Sequence, residues 1–450
     1  MDAKQIAARA IVDRLRGAGF QALWAGGCVR DLVMGRDPKD YDVATDATPS
    51  EVSELFPKGL RIGAQFGVIA IPGEGFITEV ATFRSDGVYA DGRHPVEVRY
   101  AQTPEEDVRR RDFTINGLLY DPIDERVLDF VGGQADIRAR RLRTIGDPRA
   151  RFGEDRLRML RAVRFAARFG FTIEPATFEA IQELAPAIHQ VSAERIRDEI
   201  LKILTEGGAR RGFELLDQTS LLSEVLPEVR KFQGVAQPPE FHPEGDVWTH
   251  TLMMLEGLGS GPLPVTATLA LGVLLHDVGK PATFAVRERI RFDGHVEVGV
   301  KIAEDICRRL RLSSHETERV LDLIAQHMRF KDFLNMRRAT QLRFLALDGF
   351  EEHLELHRLD CLASHGDLTL YEAARRMREE TPPEVIQPKP LVTGHDLIAL
   401  GYKPGPAFKQ MLDAVRDAQL EGRIGSAAEG MAMIRENFGA PPVLSPLHRL

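Results

Sequence analysis

Residues 3–16 carry an amphipathic pattern with charges throughout, which predicts a helix. Residues 20–25 read as a strand running into Gly26-Gly27, and Arg30 to Met34 begin a second helix. Residues 40–44 read as a strand, and Thr48 is placed to cap a helix starting at Pro49. Further strands are expected near 66–71 and 76–83, so the first third reads as an α/β nucleus with a mixed sheet. Ser85 to Pro95, rich in Gly, Asp and Arg, reads as a loop. After residue 135 strand signals fade and helix follows helix. Pro-rich breaks at Gln237-Pro238-Pro239 and at Thr381 to Pro390 divide that helical part. The expected class is therefore α+β: an α/β palm at 1–138, an all-α neck and body at 139–236, a helical unit at 240–380 and a helical tail at 385–450.

Composition narrows this picture. A chain of 450 residues, 43% hydrophobic, has room for several domains and a sizeable core. The longest apolar run, Val265 to Leu275, is too short to span a bilayer. The charged N-terminal stretch is not a secretory signal, and Cys28, Cys307 and Cys361 fit no ligand spacing, so a cytoplasmic protein with reduced thiols is expected. A net charge of -8 excludes a bulk polycation but not a local basic groove. Between Arg138 and Arg168 the chain has eleven arginines against three acids, Asp147, Glu154 and Asp155. Forked guanidinium groups fit phosphates, and phosphate or RNA contact is the reading favoured here over a solvated charged face.

The candidate chemistry begins at Asp40-Tyr41-Asp42-Val43. If these residues share a strand, Asp40 and Asp42 face one way while Tyr41 and Val43 enter a core. Two oxygen ligands on one rigid strand suit magnesium and its substrate phosphates. Gly26-Gly27 allows backbone amides to approach a triphosphate, and Glu79 on a neighbouring strand supplies a third carboxylate. Asp155 and Arg158, followed by Arg161 and Arg164, form an i+3 series that would share a helical face. An acid beside an arginine suits the amine and ring acceptor of C or A; an exposed helical ion pair is the plain alternative.

Gly26-Gly27-x-Val29-Arg30-Asp31, Asp40-x-Asp42, Glu79, Arg110-Arg111-Asp112-Phe113-Thr114-x-Asn116, Glu154-Asp155-x-x-Arg158 and Glu194-Arg195 follow in order along the chain. In this the chain resembles the bacterial class II tRNA nucleotidyltransferases of the poly(A) polymerase and CCA-adding superfamily. The resemblance implies that Asp40 and Asp42 ligate catalytic magnesium with help from Glu79. It implies that Gly26, Gly27 and Arg30 hold the triphosphate, Asp112 the ribose and Arg111 the nucleotide, within the motif that also contains Asn116. Asp155 and Arg158 would read the incoming base, with Arg161 and Arg164 reinforcing the pocket. The implied activity is template-independent addition of C and A to tRNA from CTP and ATP. Ala64-Gln65 lacks the basic residues expected of poly(A) polymerases, and Asp86 to Pro95 is similar to the loop of CCA-adding members. A-only or CC-only addition and poly(A) synthesis are the alternatives within this class.

A second constellation lies downstream. His276-Asp277 ends an apolar helical run, and His250, His295, His327 and Asp360 surround it in sequence. Imidazoles with carboxylates suit a divalent metal. The order H…HD…D resembles the HD-type metal phosphohydrolases, and His242 to Thr251 is similar to HD domains fused to tRNA nucleotidyltransferases. That resemblance implies one metal on His250, His276, Asp277 and Asp360, with His295 and His327 completing a second position. Hydrolysis of an RNA phosphoester would be a second activity, or in the rival reading the main one. His242, His315, His353, His357 and His365 are given no ligand role. Thr393 to Leu397 and Gly401 to Pro406 set turns before a helix at 407–420, and resemblance to family tails implies docking of tRNA there.

Overall fold

The computed structural model describes residues 2–61, 67–85 and 99–440. The expectations placed on Ala64-Gln65 and on the loop 86–95 fall outside the described residues.

Helix α1 (Ala3–Gly17) packs Ala8, Ile11, Val12 and Leu15 into the core and is capped by Asp2. It leads to β1 (Ala22–Ala25), α2 (Gly27–Val33), β2 (Asp42–Thr45), α3 (Pro49–Leu55), β3 (Val68–Pro72) and β4 (Ile77–Thr82). Thr48 caps α3 in a reciprocal box with Glu51, as its sequence suggests. The two-residue strands β5 (Arg84–Ser85) and β6 (Arg99–Tyr100) pair antiparallel. Helix α4 (Pro104–Arg109) then precedes β7 (Leu118–Asp121) and β8 (Arg126–Asp129).

The palm is a six-stranded sheet ordered β3-β4-β2-β1-β7-β8. Only β2 and β4 run parallel, in the register Val43↔Val80, so the sheet is mixed. The β7–β8 hairpin completing one edge is absent from the sequence reading. Its short Leu118-Leu119-Tyr120 run lies between Gly117 and Pro122, and pairing with β1 stabilises it as strand.

Helix α5 (Gly133–Arg138), strand β9 (Arg141–Leu142), helices α6 (Pro148–Glu154) and α7 (Leu157–Phe169), and strand β10 (Thr172–Ile173) form the transition to the helical part. β9 and β10 make a small parallel pair, a second strand feature the fading signals did not predict. Beyond them the described residues are mostly helical, with one further two-stranded hairpin at Ala285–Val286 and Ile290–Arg291. One continuous cluster of buried apolar residues runs from Ala8 in α1 to Ala363. A separate cluster holds Val392, Leu397, Tyr402, Met411, Val415 and Ile434 of the tail. No helix among the described residues is long and apolar enough to cross a membrane.

Candidate active site and histidine cluster

The β2–β4 register sets Asp42 beside Glu79 on the palm sheet. Along β4, Thr78, Val80 and Thr82 are buried while Glu79 is exposed, so the carboxylate rises from the open face. Tyr41 and Val43 are buried as expected, and the Tyr41 ring meets Trp24 edge-on at 4.8 Å. Asp40, however, precedes the strand instead of sharing it. It is exposed, and its Oδ1 accepts from Lys4 Nζ of α1 at 3.0 Å. The strand begins at Asp42 because β1 starts its pairing there, with Ala25 opposite Asp42. Burial, with Glu79 and Asp40 close by, raises the Asp42 carboxyl to about 6 against the pull of Arg111. Carboxylates that disfavour one another's charge are a fitting seat for a divalent cation.

Gly26 caps α2 with φ of 73°, a left-handed conformation that favours glycine, and a Cβ there would lie 3.0 Å from Arg111 Nη1. Arg111 and Arg110 both reach the buried Asp107, at 2.8 Å each. Arg30 is buried rather than open to a triphosphate. It binds Asp31 and donates to Asn116 Oδ1 at 2.7 Å, and its guanidinium lies over the Phe169 ring. Asn116 in turn donates to Asp112 Oδ1 at 3.0 Å, and Arg161 grips Asp112 Oδ2 at 2.9 and 2.6 Å. Burial pushes the Asp112 carboxyl up, but Arg161, Asn116 and Arg158 outweigh it and hold it below the usual range.

The i+3 series breaks at its first member. Glu154 ends α6, and Asp155 is extended at φ −145°, so it shares no helix with Arg158. Asp155 Oδ1 accepts from the Leu157 amide at the start of α7 at 3.1 Å, and its Oδ2 binds Arg195 at 2.8 Å. Arg158 still stays near the palm, donating to Glu154 and to the Arg110 carbonyl. Arg164 turns inward to Glu199 at 2.7 Å and Glu206 at 3.0 Å and is buried.

The same holds for most of the arginine-rich stretch. Arg141 and Arg143 bind Asp136, Arg149 binds Glu183, Arg151 and Arg158 bind Glu154, and Arg168 joins Arg164 on Glu206. Much of the charge that suggested a phosphate groove is thus matched by acids, some close in sequence (Asp136, Glu154) and some distant (Glu183, Glu199, Glu206).

The second constellation does gather. His250, from the helix Val247–Gly257, meets His276 and Asp360, while Asp277 meets His295 and His327. Within each trio the ligand atoms lie within 4.8 Å of one another. The partition differs from the sequence reading because Asp277 turns one oxygen each way. Its Oδ2 is 3.1 Å from His276 Nε2, and its Oδ1 is 3.8 and 3.9 Å from His295 and His327 Nε2.

Every imidazole is held by its other nitrogen. Nδ1 of His276, His295 and His327 meets the carbonyls of Val273, Phe292 and Ile324 at 2.7–3.0 Å, and His250 Nδ1 meets Glu244 Oε1 at 2.7 Å. That leaves Nε2 facing inward, and for His295 and His327 it has no hydrogen-bond partner among the described residues. This is the arrangement in which backbone and carboxylate acceptors orient metal-bound histidines, so the residues fit a divalent metal. Burial and the neighbouring His276 keep His327 near 4, hence in the neutral ligand form. For His250 burial opposes charge, but Asp360 and Glu244 outweigh it and raise the group to about 9.

Five further residues in this region carry no role in the sequence reading. Glu244 Oε1 is shared by Nδ1 of His250 and of His242, which brings His242 to the edge of the cluster. Lys280 is buried, with Nζ 2.7 Å from Asp277 Oδ2 and 2.6 Å from Gln237 Oε1. Its spacing three residues after Asp277 is the signal that would have found it. His353 and His357 are buried on the helix Phe350–Ala363, the first against Asp322 and the second stacked on Phe330 at 4.4 Å.

Known proteins share this arrangement. Residues 22–143 match the Poly A polymerase head domain, 170–233 the family described as "Probable RNA and SrmB- binding site of polymerase A", and 246–364 the HD domain. The crystal structure of the Bacillus stearothermophilus CCA-adding enzyme in complex with CTP superimposes with a TM-score of 0.72 at 27% identity, over 97% of this chain and 99% of that one. The chain thus combines a Poly A polymerase head domain with an HD domain and resembles a CCA-adding enzyme over nearly its whole length. The CCA-adding enzyme of Lactobacillus johnsonii is 37% identical over 254 residues, 56% of this chain and 64% of that protein. The Geobacillus stearothermophilus CCA-adding enzyme is 41% identical over 211 residues, 47% and 52% of the two chains. The matched stretches thus span about half to two thirds of these curated relatives. The head and HD domains are metal-dependent types, which implies a divalent metal for each.

Proposed function

We propose that the chain adds C and A nucleotides to the 3′ end of tRNA, using CTP and ATP and releasing pyrophosphate. One observation carries this reading: Asp42 and Glu79 stand side by side on parallel strands, with Arg111 packed against the Gly26 turn. That site lies in the head-domain match of a chain whose fold parallels, over nearly its whole length, an enzyme solved with CTP. Asp40 and Asp42 would hold the divalent cations, magnesium being the expected one, with Glu79 close by; bound there, they favour ionisation of the attacking hydroxyl and neutralise the leaving pyrophosphate.

The chain's own residues do the positioning. Gly26 and Gly27 open the backbone to the triphosphate, and Arg111 turns a cation to it. Arg30 acts from beneath, holding Asn116, which with Arg161 fixes the Asp112 carboxylate for the ribose. Asp155 and Arg158, presented from the α6–α7 junction, address the base edge, an amine beside a ring acceptor in both C and A. Arg164 supports α7 from its buried side. The match at 170–233 favours RNA as the acceptor. A cytoplasmic location is part of the proposal, in keeping with three buried free cysteines.

A second activity rests on the converging Nε2 atoms. His250, His276 and Asp360, with Asp277, His295 and His327, would hold divalent metal for hydrolysis of an RNA phosphoester such as a 2′,3′-cyclic phosphate.

Product length tests the first reading. The protein is given tRNA ending before CCA, tRNA ending in CC and an unstructured RNA, each with CTP, ATP or both. Addition of three nucleotides to the first substrate is expected. Only CC, only A, or a long A tail would each replace the proposal with the corresponding activity. Asp42→Ala should lower incorporation about a thousandfold or more while tRNA binding and the melting profile persist. Robust CCA synthesis by that variant would sink the assignment.

A further inference from the structure

Between Asp277 and His295 the chain leaves the histidine cluster and returns to it. It passes through Lys280–Thr283 and then the hairpin in which Ala285 faces Arg291 and Val286 faces Ile290. The root of this hairpin is fastened to the cluster. The Phe292 carbonyl meets His295 Nδ1 at 3.0 Å, and the Phe292 ring lies 5.2 Å from Lys280 Nζ, which binds Asp277. The hairpin therefore starts and ends on residues tied to the cluster.

The tip concentrates positive charge: three arginines fall between 287 and 291, around one acid, Glu288. Arg287, Arg289 and Arg291 are all exposed, with the Arg287 amide closing the turn onto the Arg289 carbonyl at 3.1 Å. Among the described residues Arg287 and Arg289 have no acid in ion-pair range, and Arg291 approaches Asp293 only to 3.9 Å. Most arginines between 138 and 168 are matched to acids, whereas Arg287 and Arg289 are not. Beside them Phe284 is 41% and Val286 68% exposed, and the Phe284 ring tilts against Phe292 at 6.0 Å. Free guanidinium groups next to an exposed aromatic face are what a single strand of nucleic acid binds: phosphates on the forks, a base on the ring. An acidic protein surface would use the charges but leave Phe284 without a planar partner.

We propose that this hairpin is a docking arm for single-stranded RNA. Arg287 and Arg289 grip backbone phosphates, Phe284 stacks a base, and the fixed root brings the strand's end to the histidine cluster. The delivery step rests on reading that cluster as a phosphoester hydrolase; the docking step does not.

The test uses the full chain and an unstructured RNA of about ten nucleotides carrying 4-thiouridine near its 3′ end. After irradiation, mass spectrometry should find cross-links in the peptide spanning 280–295. Arg287→Glu with Arg289→Glu should cut that yield about tenfold, with a shallower salt dependence and unchanged nucleotide addition to tRNA. Absence of a cross-link there in the native chain, an undiminished yield in the variant, or equal competition by polyglutamate and by RNA would overturn the arm. Hydrolysis of a 2′,3′-cyclic phosphate is measured alongside, on an oligonucleotide and on a mononucleotide. No hydrolysis of either with the cross-link in place discards the hydrolase and keeps the arm. Hydrolysis of both with no cross-link does the reverse.

Discussion

A histidine offers two nitrogens, and this structure divides their work consistently. In the cluster Nδ1 is committed to an oxygen, which leaves Nε2 free to face the centre. Three of those oxygens are backbone carbonyls that no substitution removes. The fourth is a side chain, Glu244, whose one oxygen serves both His250 and His242. His250 is therefore the ligand whose orientation can be released by mutation. Glu244→Ala should weaken divalent-metal affinity about 10- to 100-fold, with Glu244→Gln in between because its amide oxygen can still accept. Competition against a chromogenic chelator measures this directly. An alanine variant that binds metal like the native protein would show that His250 is oriented by packing alone.

At the level of elements, α7 shows both what the sequence disclosed and what it hid. Its amphipathic spacing was legible, as were the α2 turn, the capped α3 and the strands carrying Asp42 and Glu79. The end of α6 at Glu154 was not read. Asp155 supplies the local signal in hindsight, since aspartate readily accepts from amides at a helix start and here binds the Leu157 amide. Of the counterions of α7, only Glu154, four residues before Arg158, lay within reach of sequence spacing. Asp112 lies 49 residues from Arg161, and Glu199 lies 35 from Arg164; such pairs are made by tertiary packing, not by spacing. That is why a stretch with eight excess positive charges read as a groove.

Arg164 and Glu199 are nearly inaccessible, with side chains 7% and 3% exposed. Removing Glu199 leaves Arg164 only Glu206, at 3.0 Å, to offset its charge in the interior. Glu199→Ala should therefore lose about 3 kcal/mol of stability. Glu199→Leu combined with Arg164→Met should recover part of that loss, because the under-compensated charge goes too. Urea unfolding of the three proteins decides it. A double variant less stable than Glu199→Ala would mean that Glu206 compensates Arg164 well enough alone and that the net attraction of the pairs is what matters.

Across the whole molecule, one apolar cluster joins the palm, the neck and the HD region, whereas the tail packs largely on itself. The tail's ties to the rest are few. Arg343 reaches Asp417 at 2.7 Å and Asp413 at 3.4 Å, and Leu420 enters a middle cluster built on Phe330, Phe344 and Phe350. The Arg343 pairs are part exposed and worth about 1 kcal/mol or less. Uncovering the surface under Leu420 costs about 2 kcal/mol. A chain ending at Lys389 should therefore stay folded, melting only about 3–4 °C lower. If the tail docks tRNA, as the family resemblance implies, the truncated enzyme should show a raised KM for tRNA with turnover at saturation preserved. An unchanged KM would place tRNA recognition entirely on the palm and neck. A collapse of the melting transition would instead make the tail part of the main core, against the separation of the clusters seen here.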